Sequence, residues 1–182
     1  MTPALRSFAL VIGIVLASAP GCADAQSGAS GAIGVRKPAP ALEKPADALS
    51  VLVIGDWGRH GEHNQRLVAS AMDRAASALD AELVISTGDN FYPNGIQSTG
   101  DPNIRASFED VYRQHALQVD WLVALGNHDY RGNAQAQVDY TAKSRRWRMP
   151  SRYFAVKKAI DDSTSVEFFI LDTSPFQRDY YA

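Results

Sequence analysis

The 182-residue chain is short of several things, and each shortage excludes something. It has one Cys, so no internal disulfide framework and no Cys-rich zinc module can staple it. It has four His, at positions 60, 63, 115 and 128, which leaves few nitrogen donors for a metal. It has no basic surplus: 18 Lys plus Arg against 20 Asp plus Glu gives a net charge of -2, so nothing points to nucleic acid. It has no apolar run of the ~20 residues that a bilayer span needs. The longest, Phe8 to Ala17, falls well short. What remains is a globular composition, 46% hydrophobic and 21% charged, unlike that of a disordered chain.

The first residues read as an address. Arg6 precedes the apolar run, and Ala23-Asp24-Ala25 is a small-residue cleavage pattern. This predicts a secretory signal over 1–25 and export to the periplasm or the outside. Cys22, after Ala19-Pro20-Gly21, loosely resembles the lipidated cysteine of a bacterial lipoprotein, though without the usual Leu three positions before it. Two readings stand side by side there: a lipid anchor, as the sole membrane contact, or a small residue near the cleavage site. Residues 26–47, rich in Gly, Ala, Ser and Pro, read as a linker, and 48–182 as the folded domain.

Within that domain, Leu49 to Ile54, Leu83 to Ser86 and Trp121 to Leu125 read as buried parallel strands, and Tyr153 to Val156 and Val166 to Leu171 as two more. The spacing predicts a helix over 63–79, with Leu67, Val68, Ala71, Met72, Ala75 and Leu79 facing the core. A second helix is expected over 104–117, with Phe108, Val111 and Tyr112 inward. Alternating strands and helices predict an α/β layered fold.

The first three strands end alike: Gly55-Asp56, Gly88-Asp89 and Gly126-Asn127. One Gly-Asp after a strand is ordinary turn or helix-cap chemistry. Three, spaced like βαβ units of roughly 30 or more residues, place oxygen side chains together beyond the strands' carboxyl ends. Clustered carboxylates repel unless a cation or proton neutralises them, so the pattern asks for a metal.

The quoted motifs Gly55-Asp56-Trp57-Gly58, Gly88-Asp89-Asn90-Phe91-Tyr92 and Gly126-Asn127-His128-Asp129 resemble the metallophosphoesterase superfamily. Tyr92 narrows the resemblance to the purple acid phosphatases. Residues 132–154 and the Leu171-Asp172-Thr173-Ser174 stretch are similar to the small, tartrate-resistant type. The resemblance implies a layered β-sandwich flanked by helices. It also implies hydrolysis of small phosphate monoesters by a metal-bound hydroxide at a dinuclear centre, Fe(III) plus a divalent Fe, Zn or Mn. Carried over, Asp56 binds the ferric ion, Asp89 bridges both ions, Tyr92 binds iron as a phenolate, and Asn127 binds the second ion. His128 acts on phosphate or the leaving alkoxide. Asp129, Asn90 and Trp57 support the ligands from behind.

The family pattern needs three more His ligands, one from a later motif and two from a Gly-His-x-His motif. This sequence has no His after His128. The expectation is a part of a longer product, the alternative a true short protein, and in either case little activity alone. Two other functions stay open: another metallophosphoesterase, such as a phosphodiesterase or nucleotidase, and a non-catalytic metal-binding protein of the cell surface. His60, His63 and His115 are assigned to no metal. Lys143, Arg145, Arg146, Arg148 and Arg152 read as a solvated basic face.

Overall fold

The computed structural model describes residues 12–14 and 41–177. Five strands form a parallel sheet in the order β1-β2-β3-β4-β5. They are β1 (Ile12–Ile14), β2 (Val51–Ile54), β3 (Leu83–Ser86), β4 (Asp120–Val123) and β5 (Trp147–Arg148). Helix α1 (Gln65–Leu79) crosses between β2 and β3, and α2 (Ala134–Tyr140) lies between β4 and β5. The antiparallel ribbon β6 (Phe154–Ala159) and β7 (Ser165–Ile170) forms a second, smaller sheet.

Strand alternation divides the interior in two. Leu52, Ile54, Val84, Trp121 and Val123 point into the larger core, with α1 and the aromatic residues. Val51, Val53, Leu83, Ile85, Leu122 and Ala124 point the other way, against Phe154, Val156, Phe168 and Ile170 of the ribbon. The parallel sheet is therefore covered on both faces, which is why its strands read as continuous apolar runs. The result is the expected layered α/β sandwich, with a two-stranded second layer among the described residues.

Several expectations need correction. Residues 104–117 are not one helix. A turn of helix at Pro102–Ile104 runs into a wider turn at Arg105–Glu109, and a separate 3-10 turn follows at His115–Leu117. Phe108, Val111 and Tyr112 are nevertheless buried, because the aromatic cluster around Trp57 and Trp121 captures them whatever the backbone does. On α1 the buried stripe is Gln65, Ala69, Met72, Ala76 and Leu79, and Leu67 is 69% exposed. Two overlapping apolar stripes fit the helical period, and the sheet selects the one with small residues.

The basic run is only in part a solvated face: Lys143 and Arg145 are exposed. Arg146 is buried, bonded to Glu109 Oε2 at 2.6 Å and to the carbonyls of Tyr112 and Leu117. Arg148 pairs with Asp120, Arg145 donates to Gln118, and Arg152 donates to the Tyr130 hydroxyl.

Within the segment read as a signal, the backbone of Ile12–Ile14 runs parallel beside β2. The rest of 1–25, including Cys22, and residues 26–40 of the linker lie outside the described residues. Among the described residues no helix is long and apolar enough to cross a membrane.

Candidate metal centre

The register sets the site. Ile54 pairs with Ser86, and Ser86 with Val123, so the three Gly-bordered strand ends leave the sheet side by side. The turns are sharp: Asp56 and Asp89 sit at φ 59° and 51°, left-handed backbone that Asp adopts more readily than most residues. Such conformations persist where the surroundings over-determine them, and they cluster at functional sites. Two glycines are needed for contact. A Cβ at Gly126 would strike the Asp89 carboxylate, and one at Gly58 would strike the Asn90 carbonyl.

These turns bring four oxygen-bearing side chains together. The Tyr92 hydroxyl lies 2.6 Å from Asp56 Oδ1 and 2.8 Å from Asp89 Oδ2. Asn127 lines the same cavity of about 260 Å³ as Asp56 and Asp89, and Thr173 and Gln177 line it too. Neither carboxylate forms an ion pair among the described residues. Burial, then the hydrogen bonds to Asp56 and Asp89, hold the phenol proton on Tyr92 and push its pKa above the usual tyrosine value. One proton thus holds three oxygens together.

A buried layer fixes this cluster from behind. Asp129, fully buried, accepts from the main-chain N–H groups of Asn90, Phe91 and Gly126 and from the side-chain amides of Asn90 and Gln137. Burial pushes its carboxyl up to about 6, although the Gln137, Gly126 and Asn90 donors pull it down. Asn90 also donates to the Ala124 carbonyl and accepts from the Ser86 hydroxyl, which in turn accepts from the Trp57 indole. Ser86 and Gln137 escaped the sequence reading, since nothing marks a lone Ser or Gln as part of a buried network.

The structure holds His128 by its main-chain N–H on Asp89 Oδ1 and by its ring Nδ1, 2.6 Å from the Pro93 carbonyl. A carbonyl only accepts, so Nδ1 carries the proton and Nε2 is left for chemistry. The ring packs 4.3 Å from that of Tyr92. Arg59 stands over the Tyr92 ring at 3.7 Å, another residue the sequence reading left unassigned. His60, His63 and His115 are exposed on the surface.

Among the described residues no three His, Cys, Asp or Glu side chains group as a metal cage. The cluster still fits a hard cation. Its donors are all oxygen, carboxylate, phenol and amide, and a single proton now occupies the place where their charges meet.

Comparisons with known proteins give the family of the chain. The chain belongs to the calcineurin-like phosphoesterase family, whose profile matches residues 49–174. Its relatives within the family are of the purple acid phosphatase type. It is 44% identical over 138 residues to purple acid phosphatase 17 of Arabidopsis thaliana, covering 76% of this chain and 40% of that protein. It is 38% identical over 133 residues to tartrate-resistant acid phosphatase type 5 of Homo sapiens, covering 69% of this chain and 41% of that one. The chain therefore spans about two fifths of the length of the curated relatives it matches. Among solved structures, GAP50, the anchor in the inner membrane complex of Plasmodium, superposes with a TM-score of 0.65 at 23% identity. The superposition covers 72% of this chain and 44% of that one, and shows the shared fold.

Proposed function

We propose that the chain carries the oxygen-donor half of a two-metal acid phosphatase site acting on small phosphate monoesters. The observation that carries this is the meeting of Tyr92 with both Asp56 and Asp89, at 2.6 and 2.8 Å. Asp56, Asp89 and Tyr92 would hold a ferric ion, and Asp89 with Asn127 a divalent one. When bound, such a pair supplies Lewis acidity and an activated water. The chain's own residues do the rest. Asp129 and Asn90 keep the three turns in register. His128 keeps Nδ1–H on Pro93 and, when protonated, offers Nε2–H to a phosphoryl oxygen or the departing alkoxide.

No His follows His128, so the nitrogen donors of the family pattern have no counterpart in this sequence. The chain by itself is therefore proposed to bind iron weakly and to turn over negligibly. Export, with or without a lipid anchor at Cys22, is proposed from the residues before the domain. Loading the purified chain with ferric citrate and recording visible spectra tests the site. A tyrosinate-to-iron band that disappears in Tyr92→Phe supports it, and no band defeats it. Hydrolysis of p-nitrophenyl phosphate at acid pH tests the second claim, which robust metal-dependent turnover would overturn. A phosphodiesterase or nucleotidase centre without a tyrosinate would show turnover but no such band. One rival reading is a non-catalytic metal-binding protein of the cell surface. Partial occupancy without turnover, even when the missing donors are supplied by a polypeptide carrying the Gly-His-x-His motif, would favour it.

A further inference from the structure

We propose that Arg59 is a positioning residue: its guanidinium, stacked on Tyr92, holds the phenol oxygen on Asp56 and Asp89 in the place where iron binds. The role of the contact in metal binding rests on the two-metal reading above; the contact itself does not. Arg59 is half-buried and forms no ion pair among the described residues, although Asp56 and Asp89 stand nearby without one. It faces the Tyr92 ring, with the guanidinium carbon 3.7 Å from the centroid. The attraction grows with electron density on the ring, so the contact strengthens once the oxygen is bound as an anion.

The loop that carries Arg59 is clamped. Its main-chain N–H donates to Gln65 Oε1 at 3.0 Å, Gly61 N–H donates to the same atom at 2.7 Å, and His60 N–H donates to Ser107 Oγ at 2.8 Å. Gln65 is itself buried and donates to the Ser107 carbonyl. The guanidinium is thus delivered to the ring from α1 and the 102–109 turn. Tyr92, in contrast, lies in a loop between strands, where a side chain needs external contacts to keep one rotamer. Its hydroxyl bonds alone would let the ring swing about the oxygen; Arg59 and His128 fix the ring itself.

The test uses the full chain and the variants Arg59→Gln and Arg59→Lys, each checked for folding by circular dichroism. In the metal-free protein, NMR should show Arg59 side-chain protons shifted upfield by the Tyr92 ring. Arg59→Gln should change the Tyr92 ring resonances and speed its ring flips; Arg59→Lys should keep most of the wild-type pattern. In ferric titrations Arg59→Gln should weaken iron binding about tenfold and move the visible band, with Arg59→Lys restoring much of both. Wild-type ring resonances and iron affinity in Arg59→Gln would overturn the proposal. If the wild-type chain shows no visible band, the two-metal reading fails. The metal-free ring data then decide the positioning claim alone: altered ring signals in Arg59→Gln uphold it, unaltered ones sink it.

Discussion

The main-chain N–H of His128 is bonded to Oδ1 of Asp89 at 2.9 Å, so the carboxylate that meets Tyr92 also pins the loop after β4. Two strand ends are thereby one mechanical unit. Asp89→Ala should break both roles. A hydrogen bond to a charged acceptor contributes ~1.5–3 kcal/mol. Exchange of the His128 amide, followed by NMR, should accelerate at least tenfold, and ferric binding should be lost in the same variant.

Asp129 makes stability depend on pH in an unusual direction. Its carboxyl ionises near 6 in the fold against 3.8 unfolded, because burial disfavours the charge. Between those values the native state holds more protons than the unfolded one, so its contribution falls as pH rises. The fall is about 3 kcal/mol, complete above pH 6 and absent below 3.8. Urea unfolding at a series of pH values should show this slope in the wild type. In Asp129→Asn this part of the slope should vanish, with a loss of ~1–3 kcal/mol at low pH because the amide turns donors towards donors.

Gly58 faces the Asn90 carbonyl with no room for a Cβ. Gly58→Ala should cost ~1–3 kcal/mol, as overpacking usually does. Because Asn90 lies between Asp89 and the Asp129 network, iron affinity should fall as well. Denaturant midpoints and ferric titration on one preparation check both.

The Arg146–Glu109 pair is a core element that only looks like surface charge in the sequence. Removing Arg146 strands a Glu109 carboxylate that is 35% exposed and keeps the Tyr140 hydroxyl, so the cost falls below that of a fully buried pair, at ~1–3 kcal/mol. Arg146→Met should lose about that much in thermal or urea unfolding. Adding Glu109→Gln should recover part of the loss, since the Tyr112 and Leu117 carbonyls keep the Gln118 amide and the Trp121 indole as donors.

The site was more legible in the sequence than the frame around it. Asp56, Asp89 and Asn127 announce themselves because a β-branched run, a Gly and an oxygen side chain form a local pattern, repeated three times. Parallel pairing then forces convergence. Arg146 was not legible, since its partner Glu109 is 37 residues away and no local period encodes that contact. Strand β5 is two residues long, too short for any alternation to show. The exposure of Leu67 was hidden because neighbouring stripes on α1 carry similar apolar content, and packing against the sheet chose between them.

All three tryptophans of the chain, Trp57, Trp121 and Trp147, sit in one buried aromatic cluster, with ring centroids 5.9 and 6.4 Å from Trp57. At such separations, light absorbed by any of them is shared among the three before it is emitted. Trp57 also donates to Ser86, the first link of the chain of bonds that reaches Asp129. The molecule therefore carries its own optical gauge: one emission band reports the condition of the interior and, through a single indole N–H, that of the buried network ending at Asp129.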